Sequence, residues 1–326
     1  MHRAQRLMLS VVVAAGCLVG ASFCAAQPAA KTHRIGVLGN ENTPPWEGLR
    51  QGLRELGYVE GRNLAMDWRW SGGNPERLPA LAKEVVALGP DVIVASGTQA
   101  IRAAKEATST IPIVMAVSAY PDRLGLVASL ARPGGNVTGL TNVAPELYAK
   151  KLELLKEIVP NVARVALIWN PESPIERVTL KELQATATTL GIAIHPVEVR
   201  RPEDFPAAFA ALAPAQVDAL LSNGNPVNFR GRALIAEFAL RSGLPSVFEE
   251  RLFVEAGGLV SYAPSYSDLF RRSATYVDRI LKGAKPADLP VEQPTQFELV
   301  INLKTAQALG LAISPTLRLR ADQLLE

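Results

Sequence analysis

Short apolar runs of four to eight residues alternate along this chain with amphipathic stretches of ten or more, and the series occurs twice. Short buried strands separated by helices predict parallel sheets covered on both faces. The first series reads as a strand at 33–39, a helix at 44–56, a strand at 63–70, a helix at 75–88, a strand at 91–95, a helix at 98–107 and a strand at 112–117. Proline near the start of the first helix and Gly57 just past its end are the expected punctuation. After residue 140 the pattern returns: helix 144–158, strand 162–169, helix 174–190, strand 192–197, helix 203–212, strand 217–221, helix 229–242 and a short strand at 246–248. Two such series predict two similar α/β lobes.

A tail follows. A strand at 257–262 leads into a helix at 265–282, whose Leu269, Phe270, Ser273, Val277, Ile280 and Leu281 share one stripe. A Pro-rich stretch, a strand at 297–301 and a helix at 303–308 closed by Gly310 come next.

The first 26 residues stand apart. Arg3 and Arg6 precede an uncharged apolar run that ends in small residues at Cys24-Ala25-Ala26. This is the pattern of a secretory signal peptide, cleaved after Ala26. Two alternatives stay open: lipoprotein processing at Cys17, within the loose lipobox Ala14-Ala15-Gly16-Cys17, and an uncleaved anchor. Both cysteines lie in this leader, so its removal leaves no thiol for a disulfide, a nucleophile or a metal site.

Composition excludes several classes. Residues are 48% hydrophobic and 20% charged, which rules out disorder. A mean hydropathy of +0.13 and a single long apolar run rule out a polytopic membrane protein. Without Arg3 and Arg6, the 34 basic residues become 32 against 31 acids, a net +1, too even for a nucleic-acid binder with a basic face.

Enzymatic signatures are missing: there is no GxGxxG, Walker A, GxSxG or HExxH pattern. His33 and His195 lie on strands and read as packing residues. The neighbouring Glu249 and Glu250 read as a solvated loop, because adjacent side chains point apart. Asn136-Val137-Thr138 matches a glycosylation sequon but reads as a turn into a strand.

The informative residues lie in loops at the C-terminal ends of strands, where doubly wound sheets bind ligands. In the first half these loops supply Asn40, Trp46, Ser96, Gly97, Thr98, Gln99, Ser118 and Tyr120. In the second half they supply Trp169, Asn170, Asn223 and Glu249, and the later strand adds Tyr262. Ser, Thr and Asn at such places also serve simply as helix caps. The uncapped amides and dipole of a helix starting at Ser96–Thr98 suit a ligand carboxylate. Trp46, Tyr120, Trp169 and Tyr262 would supply flat apolar walls with a polar handle. Trp68 and Trp70 alternate along a strand and are expected in the core or on its cover.

Several segments resemble one family: Ser96-Gly97-Thr98-Gln99-Ala100, residues 132–140 (RPGGNVTGL), 257–262 (GGLVSY), 280–292 (ILKGAKPADLPVE) and 297–306 (FELVINLKTA). Together they are similar to substrate-binding proteins of ABC importers, in the family with a type 1 periplasmic-binding-protein fold. The resemblance implies two Rossmann-like lobes with parallel sheets, joined by a three-segment hinge near 139–141, 261–262 and 290–294. It implies a first lobe of 33–140 plus 262–288, and a second of 141–261 plus 289–326. It further implies a periplasmic monomer that closes over a small polar, amino-acid-like ligand, passes it to a membrane permease, and needs no cofactor or metal. Ser96, Thr98, Gln99 and Asn170 match the family's cleft loops. Some relatives carry an acid after the strand that here ends at Leu221. This chain has Ser222-Asn223-Gly224-Asn225 there, which leaves Glu249 or Glu250 to supply it. A receptor serving a membrane sensor, and an exported enzyme on the same fold, are the competing readings.

Overall fold

The computed structural model describes residues 32–142, 146–212 and 215–326, so the expected leader and cleavage site lie outside the described residues. The first sheet is built from β1 (His33–Gly39), β2 (Leu64–Trp70), β3 (Val92–Ser96), β4 (Ile113–Ser118) and β5 (Val137–Thr141). Its strands are all parallel, in the order β2-β1-β3-β4-β5. Helices α1 (Pro45–Glu55), α2 (Leu78–Ala87) and α3 (Thr98–Ala107) connect them.

Side-chain alternation sorts the two faces. Ile35, Val37, Val92, Val94, Val114 and Ala116 face one apolar layer, while Leu38, Ile93, Ala95, Ile113 and Met115 face another. Burial on both sides explains why these strands read as continuous apolar runs.

The second sheet follows α4 (Glu146–Ile158). It contains β6 (Arg164–Trp169), β7 (Ala193–Glu198), β8 (Ala219–Ser222), β9 (Ser246–Phe248), β10 (Val260–Pro264), β11 (Phe297–Asn302) and β12 (Gln323–Leu325). Their order is β12-β11-β10-β9-β8-β6-β7. Its helices are α5 (Pro174–Thr189), α6 (Phe205–Leu212), α7 (Pro226–Arg230), α8 (Arg232–Arg241), α9 (Arg251–Glu255), α10 (Tyr266–Leu281), α11 (Leu303–Ala308) and α12 (Pro315–Arg320). Of these, α10 returns to the first sheet. Its Leu269, Phe270 and Val277 pack in the same layer as Leu49 and Leu53 of α1. The two helices touch backbone to backbone, since a Cβ added at Gly52 would lie 2.4 Å from the Arg271 carbonyl oxygen.

Three segments therefore cross between the sheets, and hydrogen bonds lace them. The Thr141 amide donates to the Glu292 carbonyl (2.9 Å), the Glu292 amide to Gly139 (3.1 Å), and the Ser265 amide to Gln296 (3.1 Å). The crossings differ slightly from the sequence-based boundaries. Strand β10 stays in the second sheet through Pro264, paired with Phe297, so 262–264 belong there. Leu289 and Val291 pack in the first lobe's apolar layers, so the last crossing begins after them. Because the chain re-enters the second lobe from the first, β11 runs antiparallel to β10, an exception to the parallel pattern.

Gly139 sits where the first crossing begins, with φ +128° and a would-be Cβ only 2.3 Å from the Met115 carbonyl oxygen. No L side chain fits there without parting β4 from β5. Gly139→Ala is expected to cost about 3 kcal/mol, read as a lowered denaturant midpoint; an unchanged midpoint would show that the strands can separate freely there.

Candidate functional site

Residues after the C-terminal ends of strands in one sheet meet residues after strand ends in the other. Tyr120, after β4, donates its hydroxyl to Glu182 on α5. A Cβ on Gly73, after β2, would lie 2.6 Å from Arg230 Cδ on α7. At the crossings themselves, Asn142, just past β5, donates to the Tyr266 hydroxyl at the start of α10 at 3.1 Å. The two lobes are closed on one another along this cleft.

On the first lobe, Gly97 caps α3 with φ +87°, a conformation that favours glycine, and no side chain caps the helix. Thr98 Oγ1 and Ser118 Oγ lie 3.1 Å apart, both buried. Ser96 is half-buried beside them, while Gly97 and Gln99 are exposed. The result is an uncapped helix N-terminus next to a pair of hydroxyls, a geometry suited to an anion.

On the second lobe, charges gather under the strand ends. Lys151 of α4 is 4% exposed and donates to Glu249 Oε1 at 3.0 Å. Glu249 Oε2 accepts the Gly224 amide at 2.8 Å. Glu250 points to the same place: a Cβ on Gly224 would lie 3.0 Å from its Oε1 and 3.4 Å from Glu249 Oε2. The pair is thus no solvated loop with diverging side chains; the turn folds over Gly224 and brings both carboxylates together.

The Glu250 side chain makes no hydrogen bond or ion pair among the described residues, and its carbonyl accepts the Phe253 amide at 3.1 Å. Burial, and then its neighbour Glu249, push its carboxyl up to about 8 against the pull of Arg232 and Lys151. Glu176 accepts the Asn170 amide at 2.8 Å through Oε2, and burial likewise pushes it up to about 8. Burial holds Lys151 below the ordinary lysine value, opposed by Glu249. The phenols of Tyr148 and Tyr266 are driven well above their usual range, first by burial and then by these carboxylates. Eight buried side-chain polar atoms lack a hydrogen-bond partner among the described residues, and six belong here: Asn142 Oδ1, Trp169 Nε1, Glu176 Oε1, Asn223 Nδ2, Asn225 Nδ2 and Asn228 Oδ1.

The structure sorts the sequence-based candidates. Ser96, Gly97, Thr98, Gln99 and Ser118 stay together at the head of α3. Trp169, Asn170, Asn223 and Glu249 stay together at the strand ends of the second lobe. Four are corrected. Trp46 is 2% exposed and locked against Trp68, Trp70 and Phe270, with its indole donating to the Glu41 carbonyl, so it is core rather than a cleft wall. Asn40 Oδ1 is taken by Ser71 Oγ and the Gly73 amide, both at 2.8 Å, and ties down a loop. The Tyr262 ring stacks on Phe297 and packs against the second lobe's core. Tyr120, expected as a wall, instead crosses to the other lobe. Trp68 and Trp70 are half-buried, as a cover would be.

Lys151, Glu176, Asn142, Tyr148, Tyr266 and Glu182 were missed. Only Lys151 left a trace in the sequence, as one charge on the buried stripe of Leu147, Tyr148, Leu152 and Leu155. The sequon is occupied structurally, since Asn136 Nδ2 donates to the Thr108 and Ile111 carbonyls. His195 lines an open groove beside β7 with Arg200 and Asp204.

A family model described as ABC transporter substrate binding protein matches residues 42–325. The chain belongs to that family. Its members are binding proteins that hold a substrate for an ABC transporter outside the cytoplasm. Among curated proteins, the tyrosine-binding protein of Clostridioides difficile (strain R20291) is 25% identical over 265 residues, covering 81% of this chain and 76% of that protein. Among solved structures, an ABC domain in complex with L-Trp from Streptococcus pneumonia is 28% identical with a TM-score of 0.85, covering 90% of this chain and all of that one. A conserved domain protein from Vibrio cholerae O1 biovar El Tor is 30% identical at the same TM-score and coverage.

Proposed function

We propose that this substrate-binding protein captures an amino acid in the cleft. It is exported to the periplasm with residues 1–26 removed, acts as a monomer, and delivers its ligand to a membrane permease. The observation that carries this reading is the Glu250 side chain, which has no hydrogen bond or ion pair among the described residues and lies over Gly224, near buried polar atoms that lack a hydrogen-bond partner. Lys151 neutralises Glu249, which leaves Glu250 as the carboxylate for a ligand ammonium. The ligand carboxylate goes to the first lobe, where the head of α3 and the Thr98 and Ser118 hydroxyls donate to it. A ligand touching both lobes stabilises the closed form by contacts the open form lacks. The family relatives named for tyrosine and solved with L-Trp support an aromatic amino acid.

A thermal-shift screen of the twenty amino acids tests this. An aromatic amino acid raises the melting temperature by mass action, and no shift with any amino acid contradicts the reading. Thr98→Val keeps the fold, with a stability loss of about 1–2 kcal/mol for the lost Ser118 bond, and weakens L-tryptophan binding about tenfold by calorimetry. Unchanged affinity would remove Thr98 from the site.

A further inference from the structure

We propose that Glu182 is a latch: it holds the lobes together without touching the ligand, and so sets how tightly and how long the ligand is kept. Glu182 lies on α5 of the second lobe, with its side chain 29% exposed. Both of its carboxylate oxygens are taken by first-lobe donors. The Tyr120 hydroxyl donates to Oε2 and the Arg123 guanidinium to Oε1. Arg123 also lies 5.0 Å over the Tyr120 ring, so the two donors brace one another.

The approach of Tyr120 is built into the backbone. It is one of two non-glycine residues with positive φ among the described residues, at +45°, and is 6% exposed. A bulky residue holds that conformation only where its surroundings enforce it. Here the left-handed turn directs the ring across the cleft towards Tyr148, Thr179 and Glu182. Burial, then the bond to Glu182, raise the phenol well above its usual range, so it remains a donor. Thr179 and Glu182 lie one turn apart on α5, and Thr179 accepts the Tyr148 hydroxyl at 3.1 Å. The receiving face is therefore preorganised.

Contacts made across the cleft bias closure by their own free energy, whatever fills the pocket. A ligand's apparent affinity scales with the fraction of protein in the competent form. Loss of the latch therefore weakens every ligand by the same factor and speeds its release.

The test needs no ligand, so it stands apart from the amino-acid reading. Both native cysteines lie in the leader, so a chain starting at Gln27 accepts spin labels at Glu106→Cys on α3 and Glu237→Cys on α8, both exposed. Pulsed dipolar distances are measured without any amino acid. The expected result is a mainly short, closed distance in the parent, with Glu182→Ala raising the open-to-closed ratio about tenfold. Tyr120→Phe keeps the ring and gives a partial shift, and high salt shifts the parent in the same direction by screening Arg123. A folded Glu182→Ala or Tyr120→Phe with the parent's distance distribution overturns the proposal. If Glu182→Ala does not fold, Tyr120→Phe decides alone.

Discussion

Glu250→Ala is expected to weaken L-tryptophan binding about a hundredfold while leaving the fold intact. Truncating one partner of a desolvated charge pair leaves the other without its counter-charge, a loss of roughly 2–5 kcal/mol. The fold survives because the Glu250 side chain bonds no other group among the described residues, and its backbone bond to Phe253 is untouched. The pH dependence carries a sign that separates this role from a packing role. The free protein's Glu250 keeps its proton up to about 8, since burial raises it. An ammonium favours the ionised form, so binding must expel that proton. Affinity therefore rises with pH up to about 8, by at most about tenfold per unit for this one group, and then levels off. Glu250→Gln removes this contribution; the slope that remains belongs to Glu176, which titrates in the same range. Stability runs the other way. An unfolded carboxyl loses its proton near pH 4.5, while these folded ones retain theirs to about 8. The native state thus binds more protons in that window, and the ligand-free melting temperature falls as pH rises through it. A flat melting profile in the same window would contradict the burial of these acids.

Lys151→Met carries the second large effect. Lys151 is almost fully buried and bonded to Glu249, which in turn fixes the Gly224 amide. Breaking a buried pair from one side leaves a desolvated charge and costs about 3 kcal/mol. Here the stranded charge also sits beside Glu250, which already faces Glu249's field. The expected drop in melting temperature is roughly 5–10 °C. The double variant Lys151→Met with Glu249→Gln recovers most of it, because no desolvated charge is then left behind. A double variant as unstable as the single one would mean that Lys151 acts through packing against Tyr148 instead.

Much of the fold was legible because the strands are short, apolar and buried on both faces. The alternation that placed Ile35, Val37 and Val94 in one layer and Leu38, Ile93 and Ala95 in the other is set by the pleat alone. The head of α3 was legible for the same local reason: Ser96-Gly97-Thr98 marks a strand end followed by a helix start. The second lobe's charges were not. Glu249 and Glu250 are neighbours in sequence, and only the turn over Gly224 brings their carboxylates to one point. Glu176 sits three residues after the N-cap Ser173, where a glutamate reads as part of a cap. Its partner is instead the amide of Asn170. Trp46 was misplaced because its loop position said nothing of the Glu41 carbonyl that satisfies its indole, which frees the ring to join the core. Periodicity tells which face a residue takes, but not which distant loop meets it there.

The most direct test is calorimetry of the mature chain with L-tryptophan and L-tyrosine, each beside its N-acetyl derivative. Capping the nitrogen removes the positive charge and leaves the ring and the carboxylate. If the cleft holds an ammonium at Glu250, the free amino acid binds and the acetylated one is at least a hundredfold weaker, with the gap closing in Glu250→Ala. Equal binding of the two forms in the parent chain would contradict it.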